Sequence, residues 1–93
     1  MPKYGLVMPL HNASHHLPTV LADLQQLGED WEIVLVDDGS SDGSAAIAES
    51  LLPDATVLTR EVASGPALAR NLGVAHCSAE VVVFVDSDVE APR

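Results

Sequence analysis

Two aspartates one residue apart, Asp86 and Asp88, close the run Val81-Val82-Val83-Phe84-Val85 in this 93-residue chain. Carboxylates so spaced beyond a buried strand can divide their work. One can accept hydrogen bonds from a sugar hydroxyl while the other coordinates Mg2+ or Mn2+, because hard divalent cations prefer carboxylate and phosphate oxygens. A second acidic pair, Asp37-Asp38, follows Trp31-Glu32-Ile33-Val34-Leu35-Val36 and precedes Gly39. Pro9, His11 and Asn12 end the first apolar run. An isolated D-x-D also arises wherever acids cap strands or helices, so its meaning rests on the elements around it.

Those elements alternate. Tyr4 to Leu10 reads as a buried strand. Leu17, Val20, Leu21, Leu24 and Leu27 recur at helical spacing, with Gly28 as the stop and Ser14 as a candidate cap. Trp31 to Val36 is a second strand. Ser40 to Ser44 is a turn feeding a second helix through Leu52, which Pro53-Asp54 breaks. Ala55 to Thr59 is a third strand. Gly65-Pro66 opens a third helix, expected to bury Leu68, Leu72 and Ala75, and Val81 to Val85 is a fourth strand. The order βαβαβαβ implies a parallel sheet with helices on both faces. Ligands of such sheets bind outside the carboxyl ends of the strands, near the point where strand order reverses. Pro9, His11 and Asn12, Asp37, Asp38 and Gly39, and Asp86, Ser87 and Asp88 all belong to that rim.

Composition sets the class. Hydrophobic residues make up 47% of the chain and aromatics 3%, so the core is built from Val, Leu, Ile and Ala. Fourteen acidic residues against four Lys plus Arg give a net charge of −10, which repels nucleic acid and anionic membranes. Polyphosphate binding at such a charge calls for a cation. Cys77 is the single cysteine, so no internal disulfide forms. No apolar stretch approaches the roughly 20 residues that span a bilayer, and the first residues lack a signal-peptide pattern. The expectation is a cytoplasmic α/β domain.

Four segments together carry a family resemblance. Val36-Asp37-Asp38-Gly39-Ser40-Ser41-Asp42-Gly43-Ser44 resembles the V-D-D-G-S-x-D-G-[ST] segment of family 2 glycosyltransferases. Val7-Met8-Pro9-Leu10-His11-Asn12 resembles their V-x-[IVM]-P-x-[YH]-N strand. Gly65-Pro66-Ala67-Leu68-Ala69-Arg70-Asn71-Leu72-Gly73 is similar to their G-x-x-x-A-R-N-x-G helix, and Asp86-Ser87-Asp88 falls where their D-x-D motif sits. Order and spacing match over essentially the whole chain.

The resemblance implies a partial GT-A (Rossmann-like) three-layer sandwich spanning residues 1–93, the nucleotide-sugar-binding half of a glycosyltransferase domain. It implies that Pro9 and Asn12 border the nucleoside pocket, and that Asp38 or Asp37 contacts the base, with Asp38 ahead. Arg70 would lie over the base or the phosphates, Asp86 would bind the ribose, and Asp88 would be the ligand of Mg2+ or Mn2+. The donor expected is a nucleotide-diphosphate sugar, most often a UDP-sugar, and the reaction is inverting and metal-dependent, with an acceptor the sequence does not name. Family members are longer, and their later portion supplies the acceptor site and the general base. The expectation is therefore a truncated chain without turnover of its own, or alternatively a non-catalytic remnant or nucleotide-binding module. Its last strand would leave an exposed sheet edge open to self-association or to a partner chain.

Other positions read structurally. Asp42, Ser41 and Ser44 read as caps, Gly65 and Gly73 as backbone geometry and close packing, His11, His15 and His16 as a polar loop, and Cys77 as a small packing residue. A phosphoacceptor receiver domain would need an acidic pair after strand one and a Lys after strand five, yet strand one ends in Leu-His-Asn and Lys3 is the only lysine. A dinucleotide-binding domain would need G-x-G-x-x-G after strand one, which is absent.

Overall fold

A computed structural model describes residues 3–12, 14–62 and 65–85. The elements run β1 (Tyr4–Leu10), α1 (Leu17–Leu24), β2 (Trp31–Asp38), α2 (Ser44–Leu51), β3 (Thr56–Arg60), α3 (Pro66–Ala75) and β4 (Val81–Phe84). All strand pairs are parallel, in the order β3-β2-β1-β4. The chain thus steps outward from β1 to β3, then crosses back to place β4 on the other side of β1. That reversal puts the switch point between β1 and β4.

Side-chain alternation divides the core between two faces. Leu6, Met8 and Leu10 of β1 and Leu35 of β2 pack with Leu17, Leu21 and Leu24 of α1 and Ala48 of α2. Val7, Val34 and Val36 face the other way, onto Ala69 of α3. The result is the three-layer α/β sandwich expected from the sequence, with α1 and α2 on one face and α3 on the other.

Three local expectations are corrected. α1 ends at Leu24 rather than near Leu27, because Gln26 and Leu27 donate to the carbonyls three residues back, from Asp23 and Leu24 at 3.1 Å each. Ser14 does not cap α1: the cap position is His16, without a side-chain bond, and the Ser14 N–H is given to Asp42 instead. The buried face of α3 is Ala69, Leu72 and Gly73, whereas Leu68 is 49% exposed and Ala75 is exposed. Small residues lie under α3 because the helix sits close to the sheet. A Cβ on Gly73 would collide with Val7 Cγ1 and come within 3.2 Å of Val36 Cγ2.

Pro9 is compatible with a central strand for a specific reason. Val7 accepts the Val85 N–H through its carbonyl at 3.1 Å, so alternation turns the Pro9 nitrogen toward the same side, beyond the last β1–β4 rung at Phe84. β4 itself is an edge, with Val81, Val83 and Phe84 exposed.

Candidate functional site

The carboxyl ends of β1 and β2 are stitched together. Asn12, in the left-handed region at φ 50°, accepts the Ser41 N–H at 2.8 Å through its side-chain oxygen. Its own N–H donates to Ser40 Oγ at 2.9 Å. Asn suits this backbone because its short polar side chain bonds locally. His11 Nδ1 lies 2.8 Å from the Asp38 carbonyl oxygen. A carbonyl can only accept, so Nδ1 carries the hydrogen and Nε2 is the ring atom left to meet a ligand.

The two aspartates of the pair face opposite ways. Asp37, on the α1/α2 side, accepts the Ser40 N–H at 3.2 Å and tightens the turn after β2. Asp38, on the α3 side and 4% exposed, accepts the Gly65 N–H at 2.9 Å. Its other oxygen lies 3.7 Å from Arg60 Nε at the end of β3. One carboxylate thereby joins the end of β2, the end of β3 and the start of α3. Gly65 is at φ 97°, a conformation that glycine adopts without the strain of a side chain.

Asp42 completes the frame. It accepts the Ser44 N–H at 3.1 Å and the Ser44 hydroxyl at 2.5 Å, which closes a turn ahead of α2; the cap position itself is Gly43, so Asp42 is not the N-cap expected from the sequence. Its second oxygen takes the Ser14 N–H at 3.0 Å, which ties the β1–α1 loop to α2. These bonds, the Ser44 hydroxyl first, hold its carboxyl far below the usual carboxylate range.

The rim therefore brings together Pro9, Asn12, Asp37 and Asp38, with the N-terminus of α3 against them. Arg70, half-buried, follows Ala69 in the N-terminal half of α3. Asp86 and Asp88 lie outside the described residues. Sequence reasoning missed one member: Arg60 lies just past the strand expected to end at Thr59, although it is one of only four Lys plus Arg. His11, expected at the rim within a polar loop, occupies the Tyr/His position of the P-x-[YH]-N pattern.

Asp37 and Asp38 diverge to opposite faces and are engaged by Ser40, Gly65 and Arg60, so they do not converge on an ion. No three of His, Cys, Asp and Glu come together to hold one among the described residues. No helix among them is long and apolar enough to cross a membrane.

Comparison with known proteins places this rim in context. The family model for glycosyl transferase family 2 matches residues 6–93. The chain is 33% identical over 92 residues to an uncharacterized glycosyltransferase of Haemophilus influenzae, covering 95% of this chain and 37% of that protein. It is 31% identical over 100 residues to an undecaprenyl-phosphate 4-deoxy-4-formamido-L-arabinose transferase of Salmonella paratyphi A, covering 97% of this chain and 30% of that one. The chain thus spans about a third of the length of the curated relatives it matches. Among solved structures, residues 1–349 of S. aureus TarS in complex with UDP-GlcNAc superimpose with a TM-score of 0.85 at 30% identity, over 92% of this chain and 26% of that one. The mannosyltransferase PcManGT of Pyrobaculum calidifontis, in complex with GDP-Man and Mn2+, gives 0.86 at 25% identity, over 94% and 28%.

Proposed function

Because this chain belongs to glycosyl transferase family 2, we propose that it is the donor-binding half of a glycosyltransferase and holds a nucleotide-diphosphate sugar on the rim between β1, β2 and α3. The single observation that carries the reading is the Asn12–Ser41, His11–Asp38 and Asp38–Gly65 network. It preorganises the carboxyl ends of two strands and one helix start where open parallel sheets take ligands. TarS, with its UDP and UDP-GlcNAc complexes, supports a UDP-sugar as the donor.

In this reading Pro9 and Asn12 border the nucleoside, and Asp38, or Asp37 beside it, accepts from the base. Arg70 supplies positive charge toward the phosphates in an otherwise acidic protein. Asp86 binds the ribose. Asp88 holds Mg2+ or Mn2+, which would neutralise the diphosphate charge and stabilise it as a leaving group. Support for the metal comes from the Mn2+ complex of PcManGT. The transfer is inverting, and the acceptor site and the general base belong to polypeptide outside these 93 residues, in keeping with the chain's share of its relatives' length. Without them the chain binds donor and turns over none.

Calorimetric titration of UDP, with and without Mn2+, tests this on the chain and on Asp88→Ala. Metal-dependent binding that the variant loses is expected. A folded chain that binds no UDP in either condition would leave a non-catalytic remnant or interaction module as the function.

A further inference from the structure

A groove of about 660 Å³ opens at the amino ends of β2 and β3, at the opposite end of the sheet from the rim. It exists because both helices on that face stop short: α1 ends at Leu24, and α2 ends at Leu51. Gln25 bridges the two ends, donating its side-chain amide to the Leu51 carbonyl at 2.6 Å. Leu24 and Leu52 are buried beneath the groove, and Ile33 and Trp31 are half-buried beside it. The Trp31 ring leans on Tyr4, with centroids 5.1 Å apart.

The groove is acidic as well as apolar. Glu29 and Asp54 are exposed at its mouth, and none of the described residues lining it is basic. Neither helix has a basic residue in its last turn, so the partial negative charge of two helix C-termini adds to those carboxylates. Glu32 contributes little, since it turns to the other face and accepts the N–H and hydroxyl of Ser78 at 2.9 and 2.8 Å.

We propose that this groove docks a basic amphipathic segment of a partner protein, an arginine or lysine flanked by apolar side chains. The cation meets Glu29, Asp54, the two helix ends and the indole of Trp31, while its neighbours cover Leu24, Leu52 and Ile33. Charge complementarity selects this occupant. Acidic segments and anionic membranes are repelled. A second copy of the chain carries a net charge of −10 with Lys3, Arg60, Arg70 and Arg93 as its only Lys and Arg residues, and so is repelled as a whole.

Trp31 is the only tryptophan, so its emission reports on the groove directly. The test is fluorescence titration of the chain with a short leucine–arginine peptide and with a matched peptide in which glutamine replaces each arginine. The arginine peptide should give a saturable change that weakens with salt. Binding should fall at least tenfold in Glu29→Gln/Asp54→Asn and stay unchanged in Glu49→Gln/Glu61→Gln, which removes equal charge outside the groove. Four results would overturn the proposal: no saturable change, equal binding of the glutamine peptide, equal weakening in both double variants, or an emission change driven by protein concentration alone that persists in Phe84→Lys, which would assign the groove to a second copy.

Discussion

The Asp38 carboxylate accepts the Gly65 N–H at 2.9 Å across 27 residues of sequence, and so fixes the start of α3 against the end of β2. Through the same side chain, Arg60 at the end of β3 is drawn to the rim. Three elements that would line a donor site share one buried anchor.

Replacing that anchor separates structure from binding. Asp38→Ala leaves the Gly65 N–H without its acceptor and removes the charge beside Arg60, and should destabilise the chain by about 1–3 kcal/mol. Asp38→Asn keeps an acceptor oxygen for Gly65 and should lose less. Urea unfolding of both variants measures the difference. Equal losses would show that the Gly65 bond does not hold the start of α3.

Gly73→Ala should reverse the ordinary helix rule. In an exposed helix the change gains up to about 1 kcal/mol. Here the new methyl meets Val7 and Val36, so overpacking should destabilise by about 1–3 kcal/mol. A rise in Tm would mean that α3 sits farther from the sheet than described.

Asp42 sets an acid dependence. Its folded-state pKa is depressed below the ordinary 3.8 by the Ser44 hydroxyl and the Ser14 N–H. Its stabilisation is therefore complete above that value and is lost as pH falls below it. Tm followed from pH 6 to pH 2 should fall less steeply in Asp42→Ala than in the parent, from a lower starting value. Parallel curves would remove Asp42 from the account.

β4 should make the chain associate with itself. It is an edge strand whose Val81 and Phe84, on opposite faces, are 51% and 49% exposed. Sedimentation should show mass rising with concentration, and Phe84→Lys should suppress it. A concentration-independent monomer would contradict this.

What the sequence disclosed depended on how local the cause was. β1 was legible as an apolar run, and Ser40 to Ser44 as a turn feeding α2, because neighbours in sequence decide both. α3 was misread because Leu68 looked like a core residue. Closeness to Val7 and Val36 selects Ala69 and Gly73 instead, and that distance is a tertiary fact. Asp38 was assigned to the rim from its place after β2, but its bonds to Gly65 and Arg60 cross strands and left no pattern. The groove was invisible for the same reason, since it arises where two helices separated in sequence both stop.

The most direct measurement of the central claim is amide chemical-shift mapping of the chain on addition of UDP and Mg2+. The account predicts saturable shifts concentrated at His11, Asn12, Asp38 to Ser41, Gly65 and Arg70, with Glu29 and Asp54 unmoved. Shifts confined to the opposite end of the sheet, or none in a folded chain, would contradict a donor site on this rim.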